Sequence, residues 1–346
     1  MDYHKKLILN YLKNILTIPS PTGFTNHITN YLKKELNTIG IQYKTTNKGS
    51  IIVTLEGEDT SFERTLSAHM DTLGAMIKNI NDNGTLSLVP LGGFMMNSIE
   101  GENCKIHTLN DEVYSGTIQT IKPSVHIHGK EAYDLKRSPE NMEIILDEKV
   151  FSKKDIENLN INIGDFVSFD TRNIFTENGF IKSRHLDDKA SLAILLYAIK
   201  YIHVNNLPLS CTTNFLFSNY EEVGHGASYI PKNTKEFVAV DMGAPPGENQ
   251  NSSEYSVCIC AKDSTGPPYD LDFRKNLINI CKTSNIPYKI DIYPSYGSDA
   301  SAALRAGFDI KTSLIGPGVY ASHAYERTHM DAILATLDLI IKYCVS

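Results

Sequence analysis

Arg64-Thr65-Leu66-Ser67-Ala68-His69-Met70-Asp71 is the stretch on which the reading of this chain turns. Arg64 to His69 alternates as an extended strand does, and it runs without a break into His69-x-Asp71. Residues two apart on a strand point to one side. Asp71 is therefore placed to accept a hydrogen bond from one ring nitrogen of His69, fixing the tautomer and leaving the other nitrogen for a metal.

Working outward, the chain repeats this arrangement. Thr212 to Ser218 reads as a buried strand and leads to Glu221-Glu222. Glu236 to Val240 is another, ending at Asp241. Lys311 to Ile315 precedes a Gly/Ser/Tyr-rich loop holding His323. Asp187-Asp188 stands directly before a helix over Lys189 to Ile202, with Leu192, Leu195, Leu196 and Ile199 on one face. Helices are also expected from Leu7 to Ile15, Ile28 to Leu36 (capped by Thr25), Leu271 to Thr283, Ser298 or Asp299 to Ala306, and Asp331 to Cys344. Alternating strands and helices predict an α/β fold, a mostly parallel central sheet with helices on both faces. In such sheets, functional groups gather beyond the carboxyl ends of the strands.

Between about residues 75 and 175 the pattern changes to short strand-like segments and turns. This predicts a small inserted all-β domain, 75–175, within a catalytic domain formed by 1–74 and 176–346. Lys130 to Asn141 is charged and reads as a mobile loop.

The chain has 346 residues, 41% of them hydrophobic, and a net charge of -7. That is enough for a large core, and it argues against nucleic acid as a partner. No apolar run approaches the ~20 residues needed to cross a bilayer. The six cysteines are few and irregularly spaced, and the N-terminus has no secretory pattern. A soluble cytoplasmic protein with free thiols is expected. Cys258-x-Cys260 sits in an apolar strand and reads as core. His126-x-His128 reads as a strand edge, and His185 and His225 as candidates to line a pocket. No P-loop, dinucleotide fingerprint or serine-hydrolase elbow is present.

Two histidines and three carboxylates suit zinc, cobalt or manganese. Two adjacent carboxylates at the end of an apolar strand, Glu221-Glu222, repel unless a cation lies nearby. They are also too close to flank a sugar from opposite sides, as a glycosidase requires. Three ligand carboxylates against two divalent ions leave net positive charge, which favours a bound hydroxide and a polarised carbonyl.

Ser67-Ala68-His69-Met70-Asp71, His185-Leu186-Asp187-Asp188-Lys189, Tyr220-Glu221-Glu222-Val223-Gly224, Val240-Asp241-Met242, Gly297-Ser298-Asp299-Ala300 and Ser322-His323-Ala324 together resemble the TET-type and glutamyl aminopeptidases, metallopeptidase family M42. The resemblance spans essentially the whole chain, and the insert falls between Asp71 and Asp187, as in that family. It implies two divalent ions, zinc first, with cobalt or manganese as alternatives. Asp187 would bridge them, with His69 and Asp241 completing one sphere and Glu222 and His323 the other. Glu221 would be the general base acting on the bridging water, and Asp71 would orient His69. A cis peptide is implied at Asp187–Asp188.

The function implied is an aminopeptidase acting on short peptides, self-associating as a dimer and in some members as a tetrahedral dodecamer. The chain departs from common family patterns at Thr72, at Ser298 and at Ala324-Tyr325-Glu326. Two rivals fit the same residues: a metal-dependent amidase acting on a small acylated metabolite, and a catalytically silent peptide-binding scaffold.

Overall fold

The computed structural model describes residues 2–245 and 249–346. In chain order, helices α1 (Asp2–Leu16) and α2 (Asn26–Thr38) precede strands β1 (Lys44–Thr45), β2 (Ile51–Leu55) and β3 (Asp59–His69). Strands β4 (Gly74–Ile80), β5 (Leu86–Leu91), β6 (Asn103–His107), β7 (Val113–Thr120), β8 (Met142–Leu146) and β9 (Phe166–Phe169) follow. Short helices α3 (Val125–His128), α4 (Lys130–Asp134) and α5 (Lys153–Asn158) lie among them.

The chain then forms β10 (Ile174–Phe175), β11 (Phe180–Ser183), α6 (Leu186–Val204), β12 (Cys211–Ser218), β13 (Thr234–Val240) and β14 (Val257–Lys262). It ends with α7 (Leu271–Thr283), β15 (Tyr288–Ile292), α8 (Asp299–Arg305), β16 (Lys311–Pro317), β17 (Glu326–His329) and α9 (Met330–Val345).

The chain divides into two compact units: Met1–Asp71 with Arg172–Ser346, and Thr72–Thr171. In the second unit, β4-β5-β8-β7-β6-β9 close into an antiparallel barrel. Alternate residues (Ala75 and Ile77, Leu86 and Leu88, Cys104 and Ile106) fill its core, as the period of two requires. Lys130 to Asn141 is ordered rather than a mobile loop. It forms α4 and a 3₁₀ turn, and Arg137 pairs in a two-pronged contact with Glu100 at 2.7 and 3.0 Å. His126 and His128 lie on helix α3 and not at a strand edge.

The first unit is built on an eight-stranded sheet in the order β1-β2-β12-β3-β13-β16-β14-β15. The sheet is mixed. Its central strands β12, β3, β13 and β16 are mutually parallel, whereas β2 and β14 run antiparallel to their inner neighbours. Parallel strands covered on both faces read as continuous apolar runs, and β12 is buried along its whole length. Phe215, Phe217, Val238 and Val240 face one layer with α1, α2, α6, α7 and α9. Leu216, Phe237, Ala239 and Leu314 face the other, which includes Ala300 and Ala303 of α8.

Leu192, Leu195, Leu196 and Ile199 of α6 are fully buried. Truncating any one to alanine removes a contact set of the size that costs ~2–5 kcal/mol. Ser298 caps α8 in a reciprocal box with Ser301. Thr25 precedes α2 but makes no side-chain cap; its hydroxyl instead accepts from Asn219 Nδ2 at 2.8 Å. All six cysteines are free and buried, Cys258 and Cys260 among them. A separate three-stranded sheet, β10-β11-β17, pairs Ser183 with Glu326. No helix among the described residues is long and apolar enough to cross a membrane.

Candidate active site

The four parallel strands deliver their side chains side by side. β12 leads into the 3₁₀ turn Glu221–Val223, β3 ends at His69, β13 leads into Asp241, and β16 leads into the loop of His323. Asp187 comes from the first turn of α6. There Asp187 and Asp188 depart from helical geometry, and the peptide bond between them is cis. All seven residues singled out in the sequence are thus gathered at one end of the sheet.

Close chain approaches make this possible. A Cβ on Gly316 would lie 1.9 Å from the Asp241 carbonyl oxygen. Only glycine lets β16 pass Asp241 so closely. Four non-glycine residues around the site, His185, Tyr220, Ala321 and His323, have φ between 57° and 72°. Left-handed backbone costs an L-residue roughly 1–2 kcal/mol, and such strain concentrates where the surrounding structure over-determines it.

Asp187 occupies the middle. Its Oδ1 lies 3.2 Å from His69 Nε2, and its Oδ2 lies 3.3 Å from His323 Nε2. Ser322 Oγ donates to Oδ2 at 2.9 Å. Glu222 Oε2 is 3.6 Å from His323 Nε2, and Glu221 Oε2 is 3.7 Å from His69 Nε2. His69, Asp187 and Asp241 can each offer one donor atom such that all lie within 4.8 Å of one another.

His69 Nδ1–H donates to the backbone carbonyl of Asp71 at 2.9 Å, while the Asp71 carboxylate stands 3.8 Å away. The tautomer is therefore fixed as expected, but by the carbonyl and not by the carboxylate. The Asp71 carboxylate is engaged elsewhere: it accepts from the amides of Glu221 and Glu222 at 3.1 and 3.3 Å and from Thr22 Oγ1 at 2.6 Å.

These carboxylates are crowded and dry. Burial, with the charges of Asp241, Asp299 and Glu222, pushes Glu221 well above the ordinary carboxylate range. Burial, opposed by His323, pushes Glu222 up to about 8. Burial and the Asp187 charge push Asp241 up to about 7. For Asp187, burial works upward, but contacts with His323 and His69 hold it below the ordinary range. Burial opposes charging His69, yet Asp187, Glu221, Asp188 and Asp71 hold its pKa well above normal.

Four buried carboxylate oxygens at the site, Glu222 Oε1, Asp241 Oδ1, Asp188 Oδ1 and Asp299 Oδ1, have no hydrogen-bond partner. A buried acceptor without a partner is costly, and unpaired buried carboxylates call for a cation. Nitrogen and carboxylate donors with spare oxygens in a charge-crowded pocket fit divalent metal.

A cleft of about 800 Å³ opens on this cluster. Its apolar wall includes Met242, Tyr293, Tyr296 and Val319, and Arg305 is the one Lys or Arg among its described lining residues. Asp187, Glu221, Glu222, Asp241 and His323 all line it, whereas His185 and His225 do not. His185 is buried behind the α6 turn, and His225 is exposed.

Sequence reasoning named Asp188 beside Asp187, and Glu326 in the loop after His323, but assigned neither a role in the site. Glu326 is only 1% exposed. Its Oε2 accepts from the Asp187 amide at 3.1 Å, and its Oε1 from the His323 amide at 3.0 Å. Asp188 Oδ2 accepts from the His69 amide at 3.0 Å. In the sequence Glu326 stood out only as part of Ala324-Tyr325-Glu326, where the loop after His323 departs from common family patterns.

Residues 49–339 match the M42 glutamyl aminopeptidase family. The chain belongs to this family of metallopeptidases. The candidate aminopeptidase YhfE of Bacillus subtilis (strain 168) is 50% identical over 98% of this chain and 97% of its own. The glutamyl aminopeptidase of Lactococcus lactis subsp. cremoris (strain MG1363) is 26% identical over 68% of this chain and 66% of its own. The fold matches that of the TET1 peptidase of Pyrococcus horikoshii, which can assemble into a tetrahedron or a large octahedral shell. The TM-score is 0.86 at 23% identity, covering 98% of this chain and 99% of that one. The protein is accordingly an aminopeptidase, a hydrolase of peptide bonds whose chemistry uses divalent metal.

Proposed function

We propose that the protein removes the N-terminal residue of short peptides using two divalent cations and Glu221 as general base. The observation that carries this reading is the placement of Asp187, one carboxylate oxygen turned to His69 Nε2 and the other to His323 Nε2. His69 and Asp241 would hold one ion, Glu222 and His323 the other, and Asp187 would be shared. Zinc suits this nitrogen and oxygen set best, with cobalt or manganese as alternatives. When bound, the ions supply Lewis-acid chemistry, polarising the scissile carbonyl and acidifying water.

The chain's own groups do the rest. Glu221, which lines the cleft beside His69 and is not among the proposed ligands, takes a proton from the attacking water. It then delivers that proton to the leaving amine nitrogen as the C–N bond breaks. The apolar wall of Met242, Tyr293, Tyr296 and Val319 would receive the side chain of the departing N-terminal residue, burying its apolar surface.

The assembly of related peptidases into closed shells supports self-association here, as a dimer and as a dodecamer, with the barrel unit contributing contacts. The buried free thiols fit a reducing cytoplasm. Nucleic acid and membrane are not proposed as partners.

The experiment is a matched pair of peptides, one with a free and one with an acetylated N-terminus, offered to metal-reconstituted enzyme. Turnover confined to the free amine is expected. Preference for the acetylated peptide would establish the amidase instead. No turnover across a broad peptide panel would favour the silent scaffold.

A further inference from the structure

Every proposed metal ligand except Asp241 has its main-chain amide held by a buried carboxylate. Asp188 holds His69, Asp71 holds Glu221 and Glu222, and Glu326 holds Asp187 and His323. Asp241, alone among them, donates its amide to the carbonyl of Ile315 in the neighbouring strand.

Glu326 differs from the other two carboxylates in what it joins. Asp71 acts on two consecutive residues of one turn, and Asp188 on a single amide. Glu326 spans two chain segments far apart in sequence, the start of α6 and the loop after β16. These segments bring the shared ligand and one terminal ligand.

We infer that Glu326 is a positioning residue that sets the separation of Asp187 and His323, and with it the geometry of the cation site formed by His323 and Glu222. The inference rests on the two-cation reading above. Three observations carry it. Both oxygens of Glu326 are spent on amides, one each, so it is not itself a ligand of the kind Glu222 and Asp241 make with their unpartnered oxygens. It is fixed from below by the β11–β17 pairing, which places it opposite Ser183, four residues before Asp187. The side chains it spaces also lean on each other: Ser322 Oγ and His323 Nε2 both approach Asp187 Oδ2.

A carboxylate can accept two N–H groups at once, whereas a carboxamide of the same size offers one oxygen and a hydrogen-bearing nitrogen. Glu326→Gln therefore sets an N–H donor against one of the two amides without changing the volume at the site. Outer partners that orient metal ligands are worth roughly 10- to 100-fold in metal affinity.

The test is calorimetric titration of chelator-stripped protein with zinc, paired with the visible spectrum of the cobalt-loaded form. Wild type is expected to take up two ions. Glu326→Gln should keep the first and bind the second about 10- to 100-fold more weakly, with a shifted cobalt spectrum. Glu326→Asp keeps the charge but is one methylene too short to reach both amides. It should show the same selective weakening, and it decides the matter if the Gln variant does not fold.

Two ions bound by either folded variant within two-fold of wild-type affinity would overturn the inference while leaving the two-cation reading intact. A wild-type protein that binds fewer than two ions would overturn both.

Discussion

Asp71→Asn separates two ways in which Asp71 can serve the site. In the structure its carboxylate supports the amides of Glu221 and Glu222 and the hydroxyl of Thr22, while its backbone carbonyl holds His69. Asparagine keeps the carbonyl and the side-chain volume, so His69 and its cation should be undisturbed. What is lost is one charge-assisted acceptor under the Glu221-Glu222 turn. Thr22 can rotate to accept from the new amide nitrogen, and the Glu222 amide is left facing that nitrogen. Hydrogen bonds to charged groups are worth ~1.5–3 kcal/mol. At 1.36 kcal/mol per tenfold the fall in kcat is at most roughly 10- to 150-fold, reached if all of that energy is lost from the transition state alone.

The assay is steady-state hydrolysis of an aminoacyl substrate at saturating metal, alongside zinc titration of the stripped protein. Reduced kcat with unchanged affinity at the His69 site is expected. Weakened binding at that site, with kcat restored by excess metal, would refute this reasoning and return Asp71 to the role of orienting His69 through its carboxylate.

Glu221→Gln should retain two ions by metal analysis and lose about 10²- to 10⁴-fold in kcat, the usual scale for a positioned acid–base group; activity within tenfold of wild type would remove Glu221 from the proton path. Metal-stripped protein should become less stable as pH rises. Glu222 and Asp241 ordinarily titrate near 4.5 and 3.8, and in the fold they are pushed up to about 8 and about 7. The folded state therefore holds extra protons in that window, and their stabilisation is complete below the lower values and lost as pH climbs through the upper ones. Denaturation midpoints with chelator should fall across this range and rise across it with zinc, whose ligands must be deprotonated; equal slopes in both conditions would contradict the assignment. Gly316→Ala places a methyl group 1.9 Å from the Asp241 carbonyl oxygen. It should cost ~1–3 kcal/mol as an overpacking change, seen as a Tm lowered by at least ~2 °C; an unchanged Tm would mean that β16 has room to move.

The places of the proposed ligands were legible because each strand-like run ends in a polar residue of a metal-binding type. That logic placed His69, Asp241 and the Glu221-Glu222 pair. It placed Asp187 through the apolar helix behind it, which is buried on all sides from Leu186 to Ile199. It failed for interactions that belong to the main chain. The acceptor for His69 Nδ1 is a carbonyl, which no residue type announces. Glu326 works by holding two amides brought together only by the tertiary fold, and its strand, four residues long, has no pattern to read. His126 and His128 share the spacing of His69 and Asp71, but their segment coils into a helix instead of extending. The antiparallel flanks of the sheet were invisible for a related reason: strand direction follows from the route of the connections, not from side-chain periodicity.

The barrel enters the chain directly after Asp71, so the cation site proposed above is split by the order of synthesis. His69 emerges early, a hundred-residue unit follows (Thr72–Thr171), and His323 emerges only after every other proposed ligand. Contacts so distant along the chain form late and slowly, because the intervening loop must close first. On the two-cation reading proposed above, a nascent chain that has emerged only as far as the end of the barrel carries His69 without the other four proposed ligands. On that same reading, hydrolysis would have to wait until translation has passed His323, and a chain interrupted before it would be released without activity.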